Sequence, residues 1–169
     1  MKILQRTLYV FFAMSLQVSF AHESKLSDIK NYNYLSAQLA SAGMPTADNL
    51  QVLKENGFEH VINLLPGDFS EEKGQLAALG MSFDQVAVDW NMPTLENYQQ
   101  FALLMKQYQG AKVLVHCQLN YRASAFSYLH EVLELGVEPQ VAQKKILAIW
   151  QPNETWLAFI NTVQENQAK

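Results

Sequence analysis

One thiol and one guanidinium stand five positions apart in Val113-Leu-Val-His-Cys117-Gln-Leu-Asn-Tyr-Arg122-Ala-Ser. Cys117 is the chain's only cysteine, and the only other arginine is Arg6, near the amino terminus. A thiolate attacks where a thiol does not, and it is favoured where a helix N-terminus and a cation face the sulfur. The spacing provides both if the loop wraps so that its N–H groups converge and Arg122 lies in a first helical turn. The amides of Gln118, Leu119, Asn120, Tyr121 and Ala123, with the planar fork of Arg122, would then hold three oxygens of a tetrahedral anion. Cys117 would sit beneath the central atom, placed for in-line attack and a covalent intermediate. A bland alternative makes Cys117 an inert core residue and Arg122 a surface charge. The apolar strand before the loop and the helix after it weigh against that.

Cleaving an ester at such a site needs a proton for the leaving oxygen. Asp89, in Val88-Asp-Trp-Asn-Met-Pro-Thr94, follows a strand pattern and is the expected acid, although an Asp before a Pro-bearing turn is often only a loop cap. Asp84, Asp68, Glu71 and Glu72 read as weaker candidates, the last three in a polar loop. Trp90 and Tyr121 flank the key residues as pocket walls or core. His116 reads as a buried ring bonded to loop backbone, and Ser124 as a supporting hydroxyl. No second His, Cys or carboxylate stands at ligand spacing, so neither metal nor cofactor is expected. Trp150, Trp156, Phe159 and Ile160 read as core.

These residues need elements to position them. Tyr34 to Ala40 is a possible first strand. Thr46 caps a helix that buries Leu50 and Leu53 and stops at Gly57. His60 to Leu65 is a buried strand, Glu71 to Leu79 a helix, and Met81 to Val88 a strand with partial alternation. Thr94 opens a helix with Tyr98, Phe101, Leu104, Met105 and Tyr108 on one face. Lys112 to His116 is a strand, and helices follow over about Asn120–Leu135, Pro139–Trp150 and Glu154–Gln164. Strands alternating with helices predict a three-layer α/β fold, with a mostly parallel central sheet of four to five strands flanked by helices. Sites in such sheets lie beyond the carboxyl ends of the strands, where Cys117 falls.

The amino terminus has the form of a secretory signal: Lys2 and Arg6, an apolar run from Leu8 to Phe20, and Ser19-Phe-Ala21 before His22. Residues 1–21 are therefore expected to be removed by cleavage near Ala21/His22, leaving 22–169 as one domain, periplasmic or secreted and without stable membrane insertion. Loss of the leader's two positive charges takes the formal net charge from −4 to −6, which argues against general nucleic-acid binding.

Taken together, His116-Cys117 with Arg122, plus Asp89 and Pro93, resemble the cysteine-dependent, dual-specificity-type protein tyrosine phosphatases. More closely, the chain resembles the small bacterial family that includes the phosphatase-like domain of beta-lactamase-hydrolase-like proteins. The resemblance is carried by Ala40-Ser-Ala-Gly-Met-Pro-Thr46, Gly57-Phe-Glu-His-Val-Ile-Asn-Leu64, Val88 to Thr94 and Val113 to Arg122, and spans roughly residues 34 to 165. It implies a phosphatase fold acting on a phosphorylated protein or small molecule, with Cys117 as nucleophile, Arg122 as phosphate binder and Asp89 as general acid. Two departures stand out. The wider superfamily has five residues between Cys and Arg, usually including Gly; this chain has four and no Gly, so Asn120 is the residue expected to adopt positive φ. Ala123 occupies the place of the hydroxyl residue that helps the thiolate leave, which predicts slow turnover. Two alternatives remain open at this point: a rhodanese-like sulfurtransferase, whose loop is also short, and an anion-binding module that has lost turnover.

Overall fold

The computed structural model describes residues 26–167; the leader lies outside the described residues. Five strands form one sheet in the order β1-β2-β5-β3-β4, from β1 (Asn33–Tyr34), β2 (Leu39–Ala42), β3 (His60–Asn63), β4 (Ser82–Gln85) and β5 (Val113–His116). The β1–β2 pair is antiparallel, and β2–β5, β5–β3 and β3–β4 are parallel. The central strand, β5, is buried at all four positions and leads directly into Cys117.

Side-chain alternation along the strands divides the core into two layers. Val61 and Leu114 face a cluster with Leu50 and Leu53 of α1 (Ala47–Glu55) and Leu76 of α2 (Ser70–Ala78). Ile62, Val113, Val115 and Cys117 face the other cluster. That second layer contains Tyr98 and Phe101 of α3 (Leu95–Gln107), Phe126 and Leu129 of α4 (Tyr121–Leu133), Ile146 of α5 (Pro139–Leu147) and Trp156 of α6 (Glu154–Gln167). The three-layer, mostly parallel architecture expected from the pattern is therefore present.

The helix starts follow local chemistry. Thr46 and Thr94 each accept from the N–H three residues on, and Asn49 and Asn97 answer with side-chain oxygens that accept from the cap N–H. Each such cap is worth about 1 kcal/mol.

Three boundaries differ from the sequence pattern. Tyr34 to Ala40 is not one strand, because the Ser36 hydroxyl accepts from the N–H groups of Gln38 and Leu39 (3.2 and 3.1 Å) and folds the chain into a β1–β2 hairpin. The fourth strand ends at Gln85 rather than Val88, since its partner β3 stops at Asn63. Two N–H groups still follow the neighbour, Val86 to the Asn63 carbonyl and Val88 to that of Leu64 (2.9 and 3.4 Å). The fifth helix stops at Leu147, so Trp150 leaves the helical face on which spacing had placed it.

Candidate active site

The nucleophile candidate is held by neighbours on both sides of the central strand. The Cys117 N–H donates to the Ala42 carbonyl (3.3 Å), and the Leu64 N–H donates to the His116 carbonyl (2.9 Å). The loop then turns through Asn120, which has φ 69° and is fully buried. A left-handed φ costs an ordinary L-residue energy that Asn tolerates better than most, so Asn120 fills the part a Gly would play. Its Nδ2 donates to the Asn31 carbonyl (2.7 Å), while Asn31 Nδ2 donates to the Leu119 carbonyl (3.0 Å). This reciprocal clasp, with Met44 N–H on the Gln118 carbonyl (3.3 Å), pins the loop to the segments around β2. Gly43 makes that approach possible: a Cβ there would lie 3.0–3.1 Å from the Lys30 and Gln118 carbonyl oxygens.

Because the Asn120 side chain bonds Asn31, it does not cap α4, and no side chain does. The first-turn N–H groups of α4 therefore face the cysteine loop without a side-chain acceptor, the arrangement that suits an anion. Gln118 is exposed, Leu119 and Tyr121 are half-buried, and Ala123 is buried at the start of α4.

Arg122 is half-buried in that first turn. Its Nε donates to the Val88 carbonyl (3.0 Å), and its guanidinium carbon lies 5.3 Å from the centre of the Trp90 ring. The two terminal nitrogens of the fork are thereby left for a ligand. Val88 immediately precedes Asp89, so the same bond ties the loop of the acid candidate to the cysteine loop. That loop has two further anchors: Trp156 Nε1 donates to the Trp90 carbonyl (3.1 Å), and Asn97 Nδ2 to the Ala87 carbonyl (3.5 Å). Asp89 is exposed, and one of its oxygens accepts from the Asn91 N–H (2.7 Å). The structure thus gives Asp89 the loop-capping role and also places it at the carboxyl edge. It lies beyond the end of β4 rather than at it.

Three expectations need correcting. His116 does not bond loop backbone through its ring; Nε2 lies 2.9 Å from Oε1 of Glu72. Glu71 and Glu72 are not in a polar loop but on α2, with Glu72 buried beside Leu76. Strand alternation explains the contact, since His116 points to the α1/α2 layer while Cys117 points to the other. Glu72 stands one helical turn before the buried Leu76, and that phase was the available signal. The third correction concerns Trp150, which is half-buried rather than core. It stacks on Tyr121 with centroids 4.8 Å apart at 9°, and donates Nε1 to Ser124 Oγ (3.0 Å). Ser124 in turn donates to the Tyr121 carbonyl (3.0 Å). With Trp90 centred 6.1 Å from Tyr121 and 5.4 Å from Trp150, these rings wall one side of the site. Trp156, Phe159 and Ile160 are core, as spacing implied.

A separate groove of about 790 Å³ opens at the amino-terminal ends of β2 and β5, where Leu39, Met105, Val113, His130 and Leu135 line it. It lies at the other end of the sheet from Cys117.

A cysteine following the central parallel strand, an uncapped helix carrying an arginine and an aspartate loop tied to that arginine define a cysteine phosphatase-like α/β protein. No protein-family model matches the chain, and no curated protein matches it. Solved structures do. A candidate phosphatase of the DUF442 family from Shewanella putrefaciens is 33% identical, with a TM-score of 0.77 over 85% of this chain and 97% of its own. The chain belongs to that DUF442 family. The core catalytic domain of the PP-IP phosphatase SIW14 from S. cerevisiae, in complex with citrate, has a TM-score of 0.70 at 16% identity, covering 83% of this chain and 89% of its own. PTPMT1 in complex with PI(5)P reaches 0.69 at 16% identity, covering 81% and 96%. At that identity the last two speak for the fold, which is that of the tyrosine-phosphatase-like cysteine phosphatases.

Proposed function

We propose that the chain is an exported phosphatase that hydrolyses a phosphomonoester through a phosphocysteine. The Cys117 thiolate attacks phosphorus while the bond to the leaving oxygen breaks. Arg122 and the amides from Gln118 to Ala123 take the charge on the equatorial oxygens. Asp89 gives its proton to the leaving oxygen, then accepts one from a water that attacks phosphorus. The S–P bond breaks and inorganic phosphate leaves. The observation that carries this reading is the Arg122 Nε bond to the Val88 carbonyl, because it joins anion binder and acid loop in one unit. The leader pattern supports a periplasmic or secreted location. The substrate is a phosphorylated protein or small molecule.

One observation favours a second reading, an anion-binding protein with weak turnover. Ala123 has no hydroxyl, and Ser124, the next one along, is engaged with both the Tyr121 carbonyl and Trp150. The test is hydrolysis of an aryl phosphate by wild type and Cys117→Ser, with mass spectrometry for a trapped phosphocysteine. The phosphatase reading expects turnover and the trapped adduct only with Cys117. Tungstate raising the melting temperature with no hydrolysis by wild type would replace it with the binding reading.

A further inference from the structure

The groove at the amino-terminal ends of β2 and β5 takes no part in the chemistry proposed for Cys117. Its volume of about 790 Å³ is that of a small-molecule site rather than a packing gap. Leu39, Met105 and Val113, all buried, form its floor. Two large apolar side chains stand exposed on its rim: Leu103 of α3 at 68% and Leu135, just past α4, at 51%. Exposed leucines scattered singly are ordinary, but a pair on one apolar groove marks a surface that another molecule covers.

The lining also holds a buried polar side chain. His130 is 8% exposed, and its Nδ1 has no hydrogen-bond partner among the described residues. It occupies a core position of α4, one turn after Phe126, with its ring edge-on to Phe101. A leucine would fill that position without an orphaned nitrogen, whose unpaired burial is costly. An unmet polar atom of this kind calls for a partner. Burial pushes the His130 pKa down to about 4, so the ring is neutral at pH 7. A neutral imidazole has one N–H and one lone pair, and a hydroxyl, which both donates and accepts, suits either tautomer. A carboxylate can only accept and an ammonium only donate. Either would also lose hydration over a floor of Leu39, Met105 and Val113. The charged residues of the lining, Lys106 and Glu134, are opposite in sign and favour neither.

We propose that this groove binds an uncharged amphiphile, an apolar chain or ring system bearing a single hydroxyl. The hydroxyl meets the His130 imidazole, and the apolar body lies between Leu103 and Leu135. The site is independent of the phosphatase reading, and stands whether or not Cys117 turns over a phosphate ester. A second copy of the chain is the competing occupant. Its surface would cover the two leucines and leave the buried imidazole unmet.

In the full chain, binding is read with N-phenylnaphthylamine, an uncharged probe that brightens in apolar sites. Its displacement by n-decanol, decanoate and decyltrimethylammonium is then measured. The expected result is saturable probe binding, with n-decanol displacing the probe at concentrations about tenfold below those that the two charged amphiphiles need. Ala102→Trp, which fills the groove from its half-buried wall, is expected to abolish probe binding. Leu103→Gln changes an exposed rim position that the fold does not depend on, and is expected to weaken the probe about threefold or more. His130→Leu is expected to hold the probe within about twofold and to weaken n-decanol about tenfold, the effect of one buried hydrogen bond. Thermal melting identifies the variants that fold. An absence of saturable binding by wild type, a preference for either charged amphiphile, or unchanged binding in Leu103→Gln overturns the proposal. So does an n-decanol affinity that His130→Leu leaves intact. A dimer in sedimentation velocity that Leu103→Gln dissociates, with no probe bound by wild type, would assign the groove to a second copy instead.

Discussion

Arg122 donates its Nε to the carbonyl oxygen of Val88 at 3.0 Å, across 34 residues of sequence. The bond spends one guanidinium nitrogen on the protein itself and holds the peptide before Asp89 against the first turn of α4. A lysine at this position would keep the charge and lose both the bond and the fork. Arg122→Lys is therefore expected to lower kcat/KM for an aryl phosphate by about 10²-fold or more, and to weaken tungstate binding measured by thermal shift. Retention of half the wild-type activity would show that charge alone suffices.

Asp89 is expected to act mainly on the leaving group. Asp89→Ala should slow hydrolysis of an alkyl phosphate, whose leaving group needs a proton, by about 10²-fold or more. A p-nitrophenyl ester, whose leaving group needs none, should be affected much less. The lost bond to the Asn91 N–H adds about 1 kcal/mol of destabilisation at most, since it is an exposed loop contact. Equal slowing of both substrates in steady-state assays would assign Asp89 to loop structure instead.

Asn120 combines a left-handed backbone with a buried hydrogen bond, and two substitutions separate them. Asn120→Gly keeps the conformation and loses the bond to the Asn31 carbonyl; Asn120→Ala loses both. The expected order of stability in urea titrations is wild type, then Gly, then Ala, with Ala about 2–4 kcal/mol below wild type. A Gly variant less stable than the Ala variant would contradict the positive φ.

His130 gives the fold a pH dependence remote from the site. Burial, with its ring edge against Phe101, pushes its pKa down to about 4 from an ordinary 6.5. Between those values the unfolded chain binds a proton that the folded chain refuses, so stability rises with pH across this window. The contribution is fully present above about pH 6.5 and is lost as pH falls toward 4. At ~1.4 kcal/mol per unit it is of the order of 3 kcal/mol. Melting curves at pH 7 and 5 should show about 2 kcal/mol of this loss in wild type, and His130→Gln should remove most of the difference. An identical pH dependence in the variant would place the effect elsewhere.

Much of this protein was legible in its sequence, where the governing interactions are local. The Thr46 and Thr94 caps, the short apolar runs of β3 and β5 and the 3.6-residue spacing of Tyr98, Phe101 and Met105 are short-range patterns, and the helices and central strands followed them. The positive φ of Asn120 was legible for the same reason: a four-residue loop without Gly leaves few residues able to turn left-handed. What the tertiary structure decided are contacts between residues far apart in sequence. Glu72 meets His116, Trp150 stacks on Tyr121, Asn31 clasps Asn120 and Arg122 holds Val88 because layers and loops converge at one edge of the sheet. Spacing assigns a residue to a face, but it does not say which side chain the opposite layer brings there. Sequence alone singled out Cys117 and Arg122 as the candidate anion loop. Only the packing of α2 behind that loop put a buried carboxylate against the histidine beside the candidate nucleophile.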